Sequence, residues 1–144
     1  MAGPSPALFM DTINAYQRTE ALRAAIELDL FSHVGAGRRT AAELAEACGA
    51  APRGVRILAD YLAILGFLRK DGDRYELADD ARAFLDRASP AYLGGAVDFL
   101  LAPELKESFR QLTAAVRRYP FGTIRTREEG DASRVRTRDL PWFR

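Results

Sequence analysis

Hydrophobic and polar residues between positions 40 and 82 are spaced as two helices followed by a β-hairpin. Thr40 and Glu43 are three residues apart, the spacing of a capping box, in which each side chain accepts a backbone N–H at the start of a helix. The apolar stripe of this first helix comprises Leu44, Ala45 and Cys48. Gly49 favours a left-handed C-terminal position. The pattern therefore predicts a helix that ends at Gly49.

The second predicted helix begins at Pro52, because a proline is tolerated in the first turn, where its missing N–H is not needed. Its apolar positions follow three- and four-residue steps: Val55, Leu58, Leu62 and Leu65. Asp71-Gly72 then favours a two-residue turn. Either neighbouring register of the hairpin places Leu68 on the same face as Tyr75 and Leu77. We therefore expect a mainly α fold, a winged helix-turn-helix with a short β-hairpin wing.

Flanking helices are predicted on both sides of this unit. A helical segment runs from Pro6 to about Leu30, and its two apolar stripes indicate a bend near residues 18–20. Ser89-Pro90 begins another helix, and Pro103 begins the next, which ends near Arg118. The stripe of this last helix comprises Leu105, Phe109, Leu112 and Val116, and suits either core packing within one chain or pairing with another helix. The flanking segments carry more apolar surface than the winged unit covers, which predicts a homodimer built from them.

A winged helix can bind DNA or hold another domain, and the predicted surface argues against DNA. A groove-binding helix needs several Arg, Lys, Asn or Gln side chains on its exposed face. The second helix offers Arg53 and Arg56 near its start, followed by Asp60 and Ala63. The hairpin tip mixes cations with carboxylates. A DNA-binding transcription regulator is therefore the alternative hypothesis, and no nucleic-acid partner is expected.

Composition narrows the possible classes of protein. The 144 residues are 48% hydrophobic with a formal charge of +1, which excludes wholesale disorder and any overall attraction to nucleic acid or anionic membranes. The sequence has no apolar run of eighteen residues and no charged-then-apolar leader. We therefore expect a cytoplasmic location and no membrane partner. The lone cysteine, Cys48, is interpreted as a small buried hydrophobe rather than a reactive thiol.

Candidate chemistry is sparse. Gly35-Ala36-Gly37 does not follow a β-strand pattern, so we interpret it as a surface loop and not as a phosphate-binding loop. His33 has no Cys, Asp or Glu neighbours at metal-ligand spacing. Asp79 and Asp80 are interpreted as N-terminal caps of a short helix. The sequence therefore predicts no catalytic residue, no metal site and no cofactor site in this chain.

In its order of motifs the chain resembles the N-terminal dimerisation domain of bacterial S-adenosylmethionine-dependent O-methyltransferases, the group that includes polyketide, hydroxyindole and plant phenolic methyltransferases. The resemblance covers residues 7 to about 121. The matching segments are residues 21–31, 40–45, 56–58, 65–68, 75–77 and 92–95.

The resemblance implies a domain that intertwines with its twin, while a larger Rossmann-like domain binds the methyl donor and carries a catalytic histidine. No pattern for that second domain occurs in this sequence. We therefore expect a winged-helix dimerisation domain at residues 1–121. Residues 122–144 are predicted to be a mobile tail, consistent with a truncated or frame-shifted linker. The resemblance also implies that Phe9 and Phe99 line the substrate pocket of the complete enzyme, or act as ordinary interface or core residues without it.

Three functional hypotheses follow. The first is a dimerisation and substrate-covering module of an O-methyltransferase that has no activity of its own. The second is the DNA-binding regulator. The third is a free-standing interaction domain whose partner is a separate methyltransferase catalytic domain.

Overall fold

A computed structural model describes residues 3–118, except for the side chain of Arg118. The chain divides into two compact units, residues 1–99 and 100–144. The first unit contains helices α1 (Ala7–Ile13), α2 (Ala15–Glu27), α3 (Leu30–Gly35), α4 (Ala41–Cys48), α5 (Pro52–Ile64) and α6 (Asp79–Phe84), with strands β1 (Leu68–Asp71) and β2 (Arg74–Leu77). Helix α7 (Ala96–Leu100) spans the boundary. The second unit contains α8 (Pro103–Arg110) and α9 (Leu112–Arg118).

The winged helix-turn-helix is confirmed. Thr40 and Glu43 form the capping box of α4, since the Thr40 hydroxyl accepts the Glu43 N–H and the Glu43 carboxylate accepts the Thr40 N–H at 2.9 Å. Helix α4 ends at Gly49, whose φ of +61° is available at little cost only to glycine. The core lies among α2 to α6 and the hairpin, and its largest buried side chains are Tyr75, Phe31, Leu30, Leu44, Leu62 and Leu77.

The hairpin has the predicted faces but a different turn. Leu68 pairs with Leu77 and Asp71 pairs with Arg74, so the two-residue turn is Gly72-Asp73 instead of Asp71-Gly72. Leu68, Tyr75 and Leu77 are all buried, as predicted. The Tyr75 N–H also donates to the Arg39 carbonyl at 2.7 Å, which attaches the wing to the start of α4.

The predicted bend in the first helical segment was placed wrongly. The segment breaks at Asn14, between α1 and α2, and the chain is helical through residues 18–20. A second break follows at Asp29, which adopts a left-handed conformation with φ of +51° and separates α2 from α3. The first predicted stripe, Phe9, Ile13 and Tyr16, crosses Asn14, so the periodicity did not locate the break.

Two further predictions were wrong. Asp79 and Asp80 are not caps: the N-cap of α6 is Ala78, and both aspartates lie in the first turn, where a negative charge interacts favourably with the helix dipole. Asp79 instead pairs with Arg69 at 3.0 Å. The helix expected from Ser89-Pro90 begins only at Ala96, because turns occupy most of the intervening chain.

In the second unit, Pro103 begins a helix as predicted. The predicted continuous helix is interrupted at Gln111, between α8 and α9. The interruption is slight, because the Gln111 N–H donates to the Glu107 carbonyl and the Ala115 N–H donates to the Gln111 carbonyl. The predicted tail at residues 122–144 lies outside the described residues, as does the end of the predicted domain at residue 121.

Candidate functional site: exposed apolar helix faces

Helix α1 and the start of α2 expose a set of large hydrophobic side chains. Their exposed fractions lie between 48% and 80%: Leu8, Phe9, Met10, Ile13 and Tyr16. No residue of α1 is buried. Burying a side chain of this kind is worth about 1.5–3 kcal/mol. This surface, which we call the α1 face, is therefore an apolar surface suited to contact with a partner.

The α1 face is broad. Consecutive helix residues are rotated by about 100°, so Leu8, Phe9 and Met10 alone span about 200° of the circumference. Asp11 lies in the remaining sector, whereas Thr12 lies between Leu8 and Phe9 and is the one polar side chain within the arc. A helix that packs on one flat surface usually has a narrower apolar stripe. The width of the α1 face suits contact with a partner on more than one side.

Helices α8 and α9 of the second unit expose the stripe that the sequence predicted. Leu105 is 36% exposed, and the other three side chains are 56–70% exposed: Phe109, Leu112 and Val116. No residue of α8 is buried. Core packing within the described chain was one of the two interpretations of this stripe, and exposures of this size favour the other, pairing with a second chain.

The outward surface of α5 is not equipped to read DNA. Arg53 and Arg56 are exposed near its start, as predicted, but Ile57 and Ile64 are also exposed. A groove-reading helix places hydrogen-bonding side chains at such positions. These two isoleucines were not singled out from the sequence, although their seven-residue spacing places both of them away from the core stripe of α5.

A polar cluster fixes α5 to the hairpin. One carboxylate oxygen of Asp60 accepts the Tyr75 hydroxyl at 2.5 Å and pairs with the Lys70 ammonium at 2.6 Å. The hydrogen bond from Lys70 is the main cause that lowers the pKa of Asp60, and burial is the main cause that raises the pKa of Tyr75. Lys70 also lies 5.4 Å from the Tyr75 ring centroid. Among the described residues, no buried side-chain nitrogen or oxygen lacks a hydrogen-bond partner, and the bonds of this cluster are those that join α5 to the hairpin.

The positions considered for catalysis or ligand binding, Cys48, His33 and Gly35, are explained by their structural environment. Cys48 is half-buried against the core, and burial raises the pKa of its thiol, which disfavours the reactive thiolate. His33 is half-buried in the last turn of α3. A side chain at Gly35 would overlap the carboxylate of Asp86, so a close approach accounts for that glycine.

Phe9 and Phe99, the predicted substrate-lining residues, are both exposed, by 65% and 74%. Phe9 belongs to the α1 face, and Phe99 lies on α7. An open depression of about 520 Å³ contains neither of them, and it is lined by Asp79, Arg82, Ala83, Asp86, Ala88 and Ser89. The structure therefore does not bring the two phenylalanines together in this depression.

Within residues 3–118, no three His, Cys, Asp or Glu side chains are grouped closely enough to hold a metal ion. None of the described helices combines the length and apolar character needed to cross a membrane.

Comparison with known proteins identifies the fold. The family model for the O-methyltransferase dimerisation domain matches residues 10–87. The tetracenomycin polyketide synthesis 8-O-methyl transferase TcmO of Streptomyces glaucescens is 40% identical over 82 residues, which are 56% of this chain and 24% of TcmO.

Two solved structures extend the similarity. An O-methyltransferase structure from Nostoc punctiforme PCC 73102 is 46% identical, with a TM-score of 0.78 over 84% of this chain and 36% of that one. The structure of PigF with SAH is 25% identical, with a TM-score of 0.70 over 81% of this chain and 38% of that one. The chain thus spans about a quarter to two fifths of the length of these relatives.

These matches confirm the resemblance and give no support to the DNA-binding regulator. The family model spans the chain from the end of α1 through the whole winged unit to the first residues after α6. The chain therefore belongs to the family of O-methyltransferase dimerisation domains.

Proposed function

We propose that this chain forms a homodimer through the α1 face and the exposed stripe of α8 and α9, and that it supplies part of the substrate-binding wall of an S-adenosylmethionine-dependent O-methyltransferase. The breadth of the α1 face carries the proposal. An apolar arc of about 200° cannot be covered by one flat contact. A second copy that surrounds α1 covers it, in agreement with the intertwined dimer that the family resemblance implies.

The amount of exposed apolar surface supports a partner of the obligate kind. Monomeric soluble proteins rarely expose contiguous apolar patches larger than several hundred Å². Obligate homodimers typically bury about 2,000 Å² or more in total, and their interfaces are rich in hydrophobic side chains. In a symmetric dimer the same face of each copy contacts the other copy, so one apolar face supplies both sides of the interface.

The methyl donor is proposed from the relatives. PigF was solved with SAH, the demethylated product of S-adenosylmethionine. Among residues 3–118, no β-strand leads into a glycine-rich loop at a helix N-terminus, the arrangement that binds such nucleosides. We therefore assign donor binding and methyl transfer to a separate catalytic domain, with no activity in the described residues alone.

Phe9 and Phe99 are proposed to contact the methyl acceptor in the complete enzyme. Both rings are exposed, and aromatic rings pack well against flat aromatic molecules in offset or edge-on geometry. The name of TcmO, a methyl transferase of polyketide synthesis, points to the same class of acceptor. A hydroxylated aromatic compound is thus the acceptor that fits this wall.

The dimer is tested by two matched substitutions. Ile13→Asp places a charge in the α1 face, whereas Ile64→Asp places the same charge on the outward surface of α5. Both isoleucines are exposed in the described chain, so neither change disturbs the core. Light scattering coupled to size-exclusion chromatography should show a dimer for Ile64→Asp and dissociation for Ile13→Asp. A dimer that is equally stable in both variants would refute the proposed interface.

A further inference from the structure

A second surface, on α5, combines exposed apolar and basic side chains. Successive residues are rotated by about 100°, so positions 53, 56, 57, 60 and 64 fall within one sector of about 100°. The opposite side of the helix carries the buried residues Val55, Ala59 and Leu62. We call the first set the outward stripe of α5. Ile57 and Ile64 are 57% and 81% exposed.

The charge of the outward stripe is unequal along the helix. Asp60 is neutralised by its ion pair with Lys70 and its hydrogen bond from Tyr75. Arg53 and Arg56 form no ion pair with any described residue, although Arg56 is close enough to contribute to the lowered pKa of Asp60. The stripe is therefore basic near the start of α5 and apolar from Ile57 to Ile64.

We propose that the outward stripe of α5 binds an acidic amphipathic helix of another protein. Ile57 and Ile64 lie about 10.5 Å apart along the helix axis, the distance that separates positions i and i+7 of a partner helix. Apolar side chains at those positions pack against the two isoleucines, as in other helix-on-helix recognition. Carboxylates at one end of the partner pair with Arg53 and Arg56.

The composition of the stripe disfavours two other binding partners, a second copy of this chain and DNA. A two-fold axis that sets Ile57 of one copy against Ile64 of another places Arg53 and Arg56 of each copy beyond Ile64 of the other, where the stripe has no carboxylate to pair with them. DNA offers Ile57 and Ile64 only the methyl groups of thymines, and the stripe has only two arginines to contact phosphates. An acidic amphipathic helix offers apolar side chains to the two isoleucines and carboxylates to the two arginines.

The probe is a fluorescein-labelled helical peptide of about 18 residues, long enough to retain helicity. It carries leucines seven residues apart and glutamates at one end, and its matched control has lysines in place of the glutamates. Fluorescence anisotropy should show saturable binding of the acidic peptide to the full chain and weaker binding of the lysine peptide. Added salt should weaken the interaction, since it screens exposed charges.

Paired variants locate the binding surface. The double changes Arg53→Glu with Arg56→Glu, and Ile57→Ser with Ile64→Ser, should each weaken binding by at least about tenfold. The double change Arg38→Glu with Arg82→Glu alters exposed arginines elsewhere and should leave binding unchanged. Circular dichroism checks that each variant is folded. At a temperature where circular dichroism shows that the Ile13→Asp variant is folded, it should bind the peptide normally, which separates this surface from the proposed dimer interface.

Four results would overturn the proposal. The first two are no binding of the acidic peptide and equal binding of both peptides. Another is displacement of the peptide by duplex DNA with the same dependence on Arg53 and Arg56, which would assign the stripe to nucleic acid. The last is a change of oligomeric state in the Ile57→Ser, Ile64→Ser variant, which would assign the stripe to a second copy.

Discussion

At the scale of single residues, Asp60 joins the second helix of the winged unit to the hairpin. Its bonds to Lys70 and Tyr75 lower its pKa in the folded chain. A carboxyl group with a lowered folded pKa stabilises the fold at any pH above its unfolded value, about 3.9, and this contribution disappears as the pH falls through the folded pKa.

The Asp60→Asn variant should therefore be less stable than the unmodified chain at pH 7, and its stability should depend less on pH between about 5 and 2. Urea unfolding at a fixed protein concentration measures both effects. Asp73→Asn, in the exposed hairpin turn, is the matched control and should retain the pH dependence of the unmodified chain. Tyr75→Phe removes one hydrogen bond to Asp60 and should cost about 1 kcal/mol. An unchanged pH dependence in Asp60→Asn would show that the cluster does not contribute to acid stability.

At the scale of elements, two glycines occupy different positions relative to their helices. One follows the last residue of α4, and the other lies inside α5. Gly49 has a φ of +61° at the end of α4, whereas Gly54 lies within α5 without a positive φ, and a methyl group would meet no atom at either position. Gly49→Ala should destabilise the chain by about 1–2 kcal/mol. Gly54→Ala should stabilise it by about 0.5–1 kcal/mol. Thermal unfolding of the two variants measures this contrast, and equal shifts would contradict the left-handed end of α4.

Arg87 holds the chain after α6 against the junction of α2 and α3. Its guanidinium pairs with Asp29 and lies 5.4 Å from the Tyr92 ring centroid, while its backbone N–H donates to the Ser32 hydroxyl at 3.1 Å. Arg87→Gln should therefore speed amide hydrogen exchange in residues 88–95. Arg82→Gln, an exposed arginine on α6, should not. Equal exchange in both variants would mean that the side chain of Arg87 does not hold this segment.

The elements also show what the sequence could predict. The capping box, Pro52 and the alternation around the hairpin are local signals, and they located α4, α5 and the wing correctly. The Asn14 break, the left-handed Asp29 and the irregular chain before α7 were missed, because apolar periodicity does not mark such breaks. The Arg87 contacts with Asp29 were also missed, since they join residues 58 positions apart. The α1 face and the stripe of α8 and α9 were predicted from apolar periodicity.

At the scale of the whole molecule, the proposed function depends on self-association. The described chain exposes large hydrophobic side chains on α1, α8 and α9, and its family is defined by a dimerisation domain. If the exposed faces are covered by a second copy, folding and association are coupled, and stability depends on protein concentration. Charged substitutions in the α1 face should then lower both association and thermal stability.

Sedimentation equilibrium of the unmodified chain across the micromolar range tests this claim most directly. We predict a single species of twice the 15.9 kDa monomer mass at every concentration, because an obligate hydrophobic interface does not dissociate readily at micromolar concentration. A folded monomer of 15.9 kDa throughout that range, with helical circular dichroism unchanged, would contradict the proposed homodimer.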